Sequence, residues 1–137
     1  MDNFQRTFFE GMQMDIAKTL RVGNIVFLSG TEAMDPQNGG KVPEDMDEQI
    51  KVVVRKMNDT LKEIGLSLEN MVKHTIYMTK GAADPVDVIR KFHDECYKYA
   101  PGLRKRPSTG TLAVVEGLAV KTFKIEVDAI AAYPDQG

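Results

Sequence analysis

The chain has 137 residues, with 18 Lys+Arg, 20 Asp+Glu and a formal net charge of −2. This length fits one domain, and 42% hydrophobic residues are enough to build a core without disulfides or a structural metal. The single cysteine excludes an intramolecular disulfide, and the lack of a basic excess argues against a nucleic-acid partner. We therefore predict a single domain spanning residues 1–137.

The sequence also predicts where the protein resides. No stretch reaches the length of a membrane span, and the first six residues lack the apolar run of a secretory signal. A lone cysteine is typical of proteins in a reducing compartment. We expect a cytoplasmic protein with no membrane partner.

The first predicted elements form a β-hairpin, in which two β-rich arms flank the tight-turn dipeptide Gly23-Asn24. Residues 35–40 are dense in turn-forming residues and predict a surface loop. Apolar residues at helical spacing then predict an amphipathic helix from about Glu44 to about Ile64.

A second helix is predicted to start at Asp84-Pro85, because an acidic cap followed by proline is a helix start signal. It should end at Pro101-Gly102. Its predicted buried stripe consists of Val88, Ile89, Phe92, Cys96 and Tyr99.

Three more strands complete the predicted elements. The first is 71–78, with Val72, Ile76 and Met78 on one face. The second is 108–115, and the third is 123–131, in which apolar residues alternate with a mostly polar face.

The order β-β-α-β-α-β-β predicts an α+β sandwich, in which one mixed sheet carries both helices on one face. The other face of the sheet carries Lys124, Glu126, Ile130 and hydroxyl residues. This face is too mixed for a core and too apolar for plain surface, so we predict that it is an oligomer interface.

The usual signatures of metal and cofactor chemistry are missing from the sequence. His74 and His93 are far apart and have no second ligand at the required spacing, so we predict no metal and no cofactor. We interpret both as partly exposed structural residues. Cys96 lies on the apolar side of the second predicted helix and is predicted to be a core residue.

Four parts of the chain carry a resemblance to a known family: 23–30, Gln49 with 61–65, 72–77 and 124–131. Through them nearly the whole chain, from about Leu20 to Ala131, resembles the Rid family, also called YjgF-like proteins. The resemblance implies a chorismate-mutase-like fold, a homotrimer with clefts between subunits, and hydrolysis of enamine or imine intermediates to a keto compound and ammonia.

The family's carboxylate-binding arginine has no counterpart at the matching position. Aligning on Pro107 places Thr109 there, and places Thr111 where active members often carry a cysteine. Threonine cannot make the bidentate ion pair of arginine, so Thr109, Gly110 and Thr111 would offer neutral hydrogen bonds instead.

Two arginines are candidate replacements for the missing one. Arg106 lies three positions earlier, and Arg90 stands where family members often carry an asparagine in the second helix. For each, the alternative interpretation is a solvated surface residue.

Two further site positions match the family pattern. Glu126 stands where the family has a water-positioning carboxylate and is the predicted catalytic residue; Ser29 stands where a hydroxyl lines the cleft. The alternatives are that Glu126 is a solvated or salt-bridged surface residue and that Ser29 only bonds the backbone.

The leading hypothesis from the sequence is a Rid-family imine or enamine deaminase whose substrate preference is changed by loss of the arginine. The alternative hypothesis is a non-catalytic homologue that binds a small molecule or docks a partner. RNA cleavage is not favoured, because the net charge is −2 and no aromatic-basic face is evident.

Overall fold

The computed structural model describes residues 3–11 and 14–135. The predicted order of elements is confirmed, with one additional short strand at the N-terminal end. Met1 and Asp2, on which the prediction about a secretory signal partly depends, lie outside the described residues. The strands are β1 (Gln5–Thr7), β2 (Thr19–Val22), β3 (Ile25–Glu32), β4 (Met71–Thr79), β5 (Thr109–Val115) and β6 (Ile125–Ala132); the helices are α1 (Met46–Lys62) and α2 (Pro85–Tyr99).

All six strands form one sheet in the order β1-β2-β3-β6-β4-β5. Neighbours are antiparallel except β4 and β5, which are parallel. A parallel pair needs a crossover connection, and α2 provides it. The sheet is therefore mixed, as predicted.

Over the described ranges, no helix combines the length and apolar character needed to cross a bilayer.

The core lies between the two helices and one side of the sheet. Alternation along β6 buries Ile125, Val127 and Ala129, and on β4 it buries Ile76 and Met78. The apolar sides of α1 and α2 close over them. We call the opposite side of the sheet the open face; its residues include Phe27, Glu32, Lys73, Thr75, Tyr77, Thr109, Thr111, Glu126, Asp128 and Ile130.

Buried Gln49 ties the start of α1 to the segment before β6. Its Nε2 donates to the carbonyls of Pro43 and Thr122 at 2.7 and 2.9 Å, and its Oε1 accepts from the backbone N–H of Lys124 at 2.9 Å. A fully buried amide needs such partners, because leaving it unpaired would cost about 1–3 kcal/mol. The family landmark Gln49 thus has a structural role.

Two predicted core positions were wrong. Val72 is 44% exposed, because an irregularity in the β4–β6 pairing between Met71 and Lys73 shifts the alternation and buries Met71 in its place. Tyr99 is 40% exposed at the last turn of α2, where Tyr97 packs against the core.

The strand β1 was not predicted, because its three residues show no alternation of apolar and polar side chains. It pairs with β2 through Gln5 opposite Arg21 and Thr7 opposite Thr19. The hydroxyls of Thr7 and Thr19 lie 2.7 Å apart. This pairing depends on contacts between distant segments that a local pattern does not contain.

Candidate functional site

Glu126 lies on the open face among other acidic side chains. It stands opposite Glu32 on β3 and opposite Tyr77 on β4, and Asp128 is the next residue of β6 on the same face. Burial raises the pKa of the Glu126 carboxyl, and the charges of Glu32 and Asp128 raise it further, while Lys56 opposes them. A carboxyl whose protonated form is favoured in this way is suited to accept and return a proton.

The backbone of β3 approaches the Glu126 carboxylate at Gly30. A Cβ at this position would overlap Oε2 of Glu126, so only glycine leaves the carboxylate in place. The pairing of β3 with β6 is interrupted between Leu28 and Thr31, which is the kind of bulge that re-aims side chains.

Ser29 lies in the same interruption of β3 and donates its hydroxyl to the carbonyl of Ala17 at 2.7 Å. This bond agrees with the alternative interpretation of Ser29, in which its hydroxyl only bonds the backbone. Ser29 thereby fixes the segment before β2 next to Gly30. Its role in substrate binding stays a prediction.

Thr109 and Thr111 also belong to the open face, on β5. Thr109 donates its hydroxyl to the carbonyl of Val72 at 3.1 Å, and Thr111 stands opposite Thr75. Glu126 is two strands away from β5 and offset by two residues, which places Thr111 about 12 Å from it between Cα atoms. Within one chain, the carboxylates around Glu126 and the threonine hydroxyls of β5 are therefore two separate groups of residues.

A residue that the sequence analysis did not single out lies beside these hydroxyls. Lys73 stands opposite Thr109, and its Nζ is 3.4 Å from Oγ1 of Thr75. It is exposed and brings a positive charge to the β5 side of the open face. The signal in the sequence was its alternation with Thr75 and Tyr77, which places all three on one face.

The two candidate arginines are engaged elsewhere. Arg106 lies 3.6 Å from Glu69, and Arg90 pairs with Asp87 on the exposed surface of α2. The structure does not bring either of them to Glu126 in the contacts of the described residues. Both pairs are largely exposed and contribute little to stability.

Gly110 faces the helices, on the other side of β5 from Thr109. A Cβ there would overlap the imidazole of His74, so the glycine makes room for this ring. His74 is only 3% exposed, and its prediction as a partly exposed residue was wrong. The two histidines, distant in sequence, come together because α2 crosses over β4.

Cys96 is 1% exposed on the core side of α2, and its prediction as a core residue is confirmed. Burial raises the pKa of its thiol to about 12, and the charge of Glu95 adds to this. The thiol therefore stays protonated near neutral pH and is not a reactive nucleophile.

The comparisons with known proteins identify the family. The sequence model described as Endoribonuclease L-PSP matches residues 16–133, most of the chain. The chain belongs to the Rid family. This family membership was predicted from the order and spacing of its strand and helix segments, and it is confirmed.

Curated relatives in the family extend from archaea to plants. A RutC family protein of Pyrococcus abyssi is 37% identical over 62 residues, which are 45% of this chain and 49% of that protein. Reactive Intermediate Deaminase A of Arabidopsis thaliana, a chloroplastic protein, is 33% identical over 84% of this chain and 57% of its own length. The matches thus span about half the length of these two relatives. A RutC family protein of Aquifex aeolicus is 30% identical over 83% of this chain and 86% of that protein.

Solved structures of the Rid family have the same fold. A Mycobacterium tuberculosis member superposes with a TM-score of 0.72 at 17% identity, covering 95% of this chain and 99% of that one. E. coli TdcF, crystallised with bound serine, gives a TM-score of 0.70 at 22% identity, covering 90% and 92%. At these identities the likeness establishes the fold, and the predicted α+β class is confirmed.

Proposed function

We propose that this chain hydrolyses an imine or enamine to a keto compound and ammonia, with Glu126 as its acid–base group. The observation that carries the proposal is the setting of Glu126: half-buried on the open face, with its pKa raised and with Gly30 leaving room beside it. The family membership and the name of the Arabidopsis relative support the reaction class.

The chemistry needs a positioned water and one group that accepts and returns a proton. An enamine first shifts a proton from nitrogen to carbon and so becomes the imine, and the imine nitrogen takes a proton from solvent. Water then adds its oxygen to the iminium carbon while Glu126 takes the released proton, which gives a neutral carbinolamine. Glu126 returns this proton to the nitrogen, the carbon–nitrogen bond breaks and ammonia leaves, and the proton of the carbinolamine hydroxyl passes to Glu126 and on to ammonia as the carbonyl forms. An imine carbon is already electrophilic, so the main remaining task of the site is to hold the water in position for attack.

The residues of the β5 side would hold the substrate. Thr109, Gly110 and Thr111 offer hydroxyl and backbone hydrogen bonds but no bidentate cation, and Arg106 and Arg90 have carboxylate partners of their own. We therefore propose that the site prefers other imines than the 2-imino acids that a carboxylate-binding arginine would hold. Ser29 would line the far side of the cleft.

A complete cleft would combine the two separate groups from different copies of the chain. Within one chain, Glu126 and Thr111 are about 12 Å apart by strand spacing, which is too far to contact one small imine. Packing of open faces in a homotrimer would place the Glu126 of one copy near the β5 of the next. The exposed apolar side chain of Phe27 supports such packing.

The test is hydrolysis of two imines generated in place by amine or amino-acid oxidases, one with a carboxylate and one without. We expect acceleration, with the uncharged imine favoured, and a loss of at least about 100-fold in Glu126→Gln because the acid–base group is removed. Glu116→Gln, an exposed carboxylate on the loop after β5, is the control and should match the wild type. Equal turnover by Glu126→Gln and wild type would overturn the assignment.

The alternative function is a binding protein without catalysis, and it is supported by the fact that Arg106 and Arg90 pair with Glu69 and Asp87 and do not hold a substrate carboxylate at the candidate site. If neither imine is turned over but a small carboxylate or keto compound perturbs the NMR signals of β5, the alternative is the correct description.

A further inference from the structure

A cavity of about 130 Å³ lies on the helix side of the sheet, between α2 and the strands β4 and β5. The residues that line it form a polar wall of His74, His93 and Ser108, an apolar wall of Ile76, Ile89 and Leu112, and an edge of Gly110 and Thr111. Engineered apolar cavities of about 150 Å³ bind benzene, so one aromatic ring is close to the largest body that this space accepts.

The polar wall is a hydrogen-bonded chain of three side chains. Nδ1 of His74 lies 2.8 Å from Oγ of Ser108, and Nε2 of His74 lies 3.4 Å from Nε2 of His93, which is a long hydrogen bond between the two rings. Burial lowers the pKa of both imidazoles, that of His74 to about 4. Both rings are therefore uncharged near neutral pH.

This chain of hydrogen bonds can run in either direction, because each neutral imidazole has one N–H and one lone pair. When His74 donates to Ser108, the hydroxyl hydrogen of Ser108 remains free to donate to a ligand. When Ser108 donates to His74, its oxygen remains free to accept. A ligand hydroxyl both donates and accepts, so it is a partner for Ser108 in both arrangements.

The lining of the cavity does not suit a charged group. Among the described residues that form it, none is a lysine, arginine, aspartate or glutamate. A carboxylate or ammonium group that entered would lose its hydration without gaining an ionic partner, which is unfavourable. The chemistry of the two walls instead matches an uncharged apolar body that carries a hydroxyl.

Thr111 connects this cavity to the candidate site. It lines the cavity, and the alternation along β5 places its side chain on the open face. β5 is an edge strand of the sheet, so no further strand of the same chain separates the two sides at this point. A ligand held at Thr111 therefore reaches the cavity around the free edge of β5.

We propose that this cavity receives the side chain of the substrate and selects carboxylate-free imines that bear a hydroxylated aromatic ring. The inference rests on the proposed function, since it places the reacting carbon on the open face. Ser108 bonds the ring hydroxyl, His74 and His93 orient Ser108, and Ile89 and Leu112 contact the ring. These residues determine specificity, and none of them touches the reacting atoms.

The first test compares three carboxylate-free imines, formed in place by an amine oxidase from tyramine, phenethylamine and propylamine. We expect kcat/KM to decrease in that order. Ser108→Ala should lower the preference for the tyramine imine over the phenethylamine imine by about five- to tenfold, because the hydrogen bond to the ring hydroxyl is lost. Ile89→Phe fills the cavity and should lower kcat/KM by about tenfold or more for both ring imines but not for the propylamine imine.

Val86→Phe is the matched control for Ile89→Phe, because Val86 is 69% exposed on the same helix and does not line the cavity. It should match the wild type with all three imines, and circular dichroism checks that each variant is folded. Equal kcat/KM for the three imines in the wild type would overturn the assigned substrate class. An unchanged preference in Ser108→Ala would also overturn it.

A second measurement separates this inference from the proposed reaction. Phenol is titrated into the full chain while the side-chain NMR signals of its two histidines are followed. We expect both to shift with a dissociation constant of about 1 mM, the order expected for a ligand of about seven heavy atoms, and to stay in place in folded Ile89→Phe. If no imine is turned over but phenol binds in this way, the proposed reaction fails and the assignment of the cavity stands. Unshifted signals at about 10 mM phenol, or equal shifts in Ile89→Phe, would overturn the assignment.

Discussion

Glu126 shows how single residues determine the chemistry available on the open face. Its carboxyl is half-buried and faces Glu32 and Asp128, and both burial and these charges disfavour its ionised form. Gly30 is the neighbour that permits this arrangement, because any side chain there would displace the carboxylate. The absence of a side chain at position 30 is therefore a condition for this placement of the carboxylate.

Gly30→Ala is expected to reduce imine hydrolysis and to lower the free energy of unfolding by at most about 1 kcal/mol. The added methyl group would overlap the end of the flexible Glu126 side chain, which can turn away at little cost but then leaves its position beside β3. Urea denaturation and the imine assay measure the two effects. Gly117→Ala, whose Cβ would meet no atom, should change neither; equal behaviour of the two variants would contradict the proposed contact.

Thr109→Arg is expected to raise activity on 2-imino acids by tenfold or more. The arginine would add a bidentate carboxylate ligand on the open face beside Lys73 and Thr75. Steady-state kinetics on 2-iminopropanoate and on an uncharged imine check this, and only the charged substrate should gain. An unchanged preference would show that Thr109 is not at the carboxylate end of the cleft.

At the scale of elements, the packing of α2 on β4 depends on two neutral imidazoles. His74 is buried against Phe92, with ring centroids 5.1 Å apart, and its edge faces His93. Burial lowers the pKa of His74 to about 4, and the charges of His93 and Lys73 lower it further. An unfolded chain would titrate this residue near pH 6.5, so the folded protein resists protonation that the unfolded chain accepts.

Stability is therefore expected to fall as the pH drops from 6.5 toward 4. In this window the unfolded state binds the proton that the folded state excludes; above it neither state is protonated, so the stabilisation is complete. The expected loss at pH 5 is about 2 kcal/mol.

Urea denaturation at pH values of about 7.5, 6.5, 5.5 and 5 measures this loss. His74→Gln, if folded, should make the dependence shallower, and the lowered pKa of His93 should leave part of it in place. A flat profile for the wild type would contradict the burial of a neutral His74.

At the scale of the whole molecule, the open face combines exposed apolar side chains with the residues of the candidate site. Ile25 and Phe27 are 38% and 44% exposed on β3, and Phe27 pairs with Ile130 on β6. Next to this apolar area lie the carboxylates and threonines of the candidate site. A closed oligomer would bury the apolar part and bring the two polar groups together.

We expect a trimer in solution, with a mass three times the 15.3 kDa of the chain by light scattering. Phe27→Glu should lower this mass and reduce imine hydrolysis at the same time, because a buried charge opposes association and each cleft needs two copies. Val86→Glu, at a 69% exposed position on α2, is the control and should leave the trimer intact. A monomeric wild type would contradict the assembly.

The local pattern of the sequence was enough to predict the hairpin, both helices and the strands of the core. The reason is that alternation of period two, helical spacing, and caps such as Asp84 act within a few residues. The same alternation put Glu126 and the β5 threonines on one face of the sheet. It also led to the correct core position of Cys96, since one side of an amphipathic helix must be buried.

Only the tertiary structure decided which distant residues meet. The crossover of α2 brings His93 onto His74, the bulge of β3 brings Gly30 onto Glu126, and Arg106 turns to Glu69. These contacts depend on strand register and on the path of the chain between elements, which a sequence pattern of a few residues does not specify. The sequence therefore determined the elements and their buried sides, while long-range packing determined the pairs of side chains on which chemistry depends.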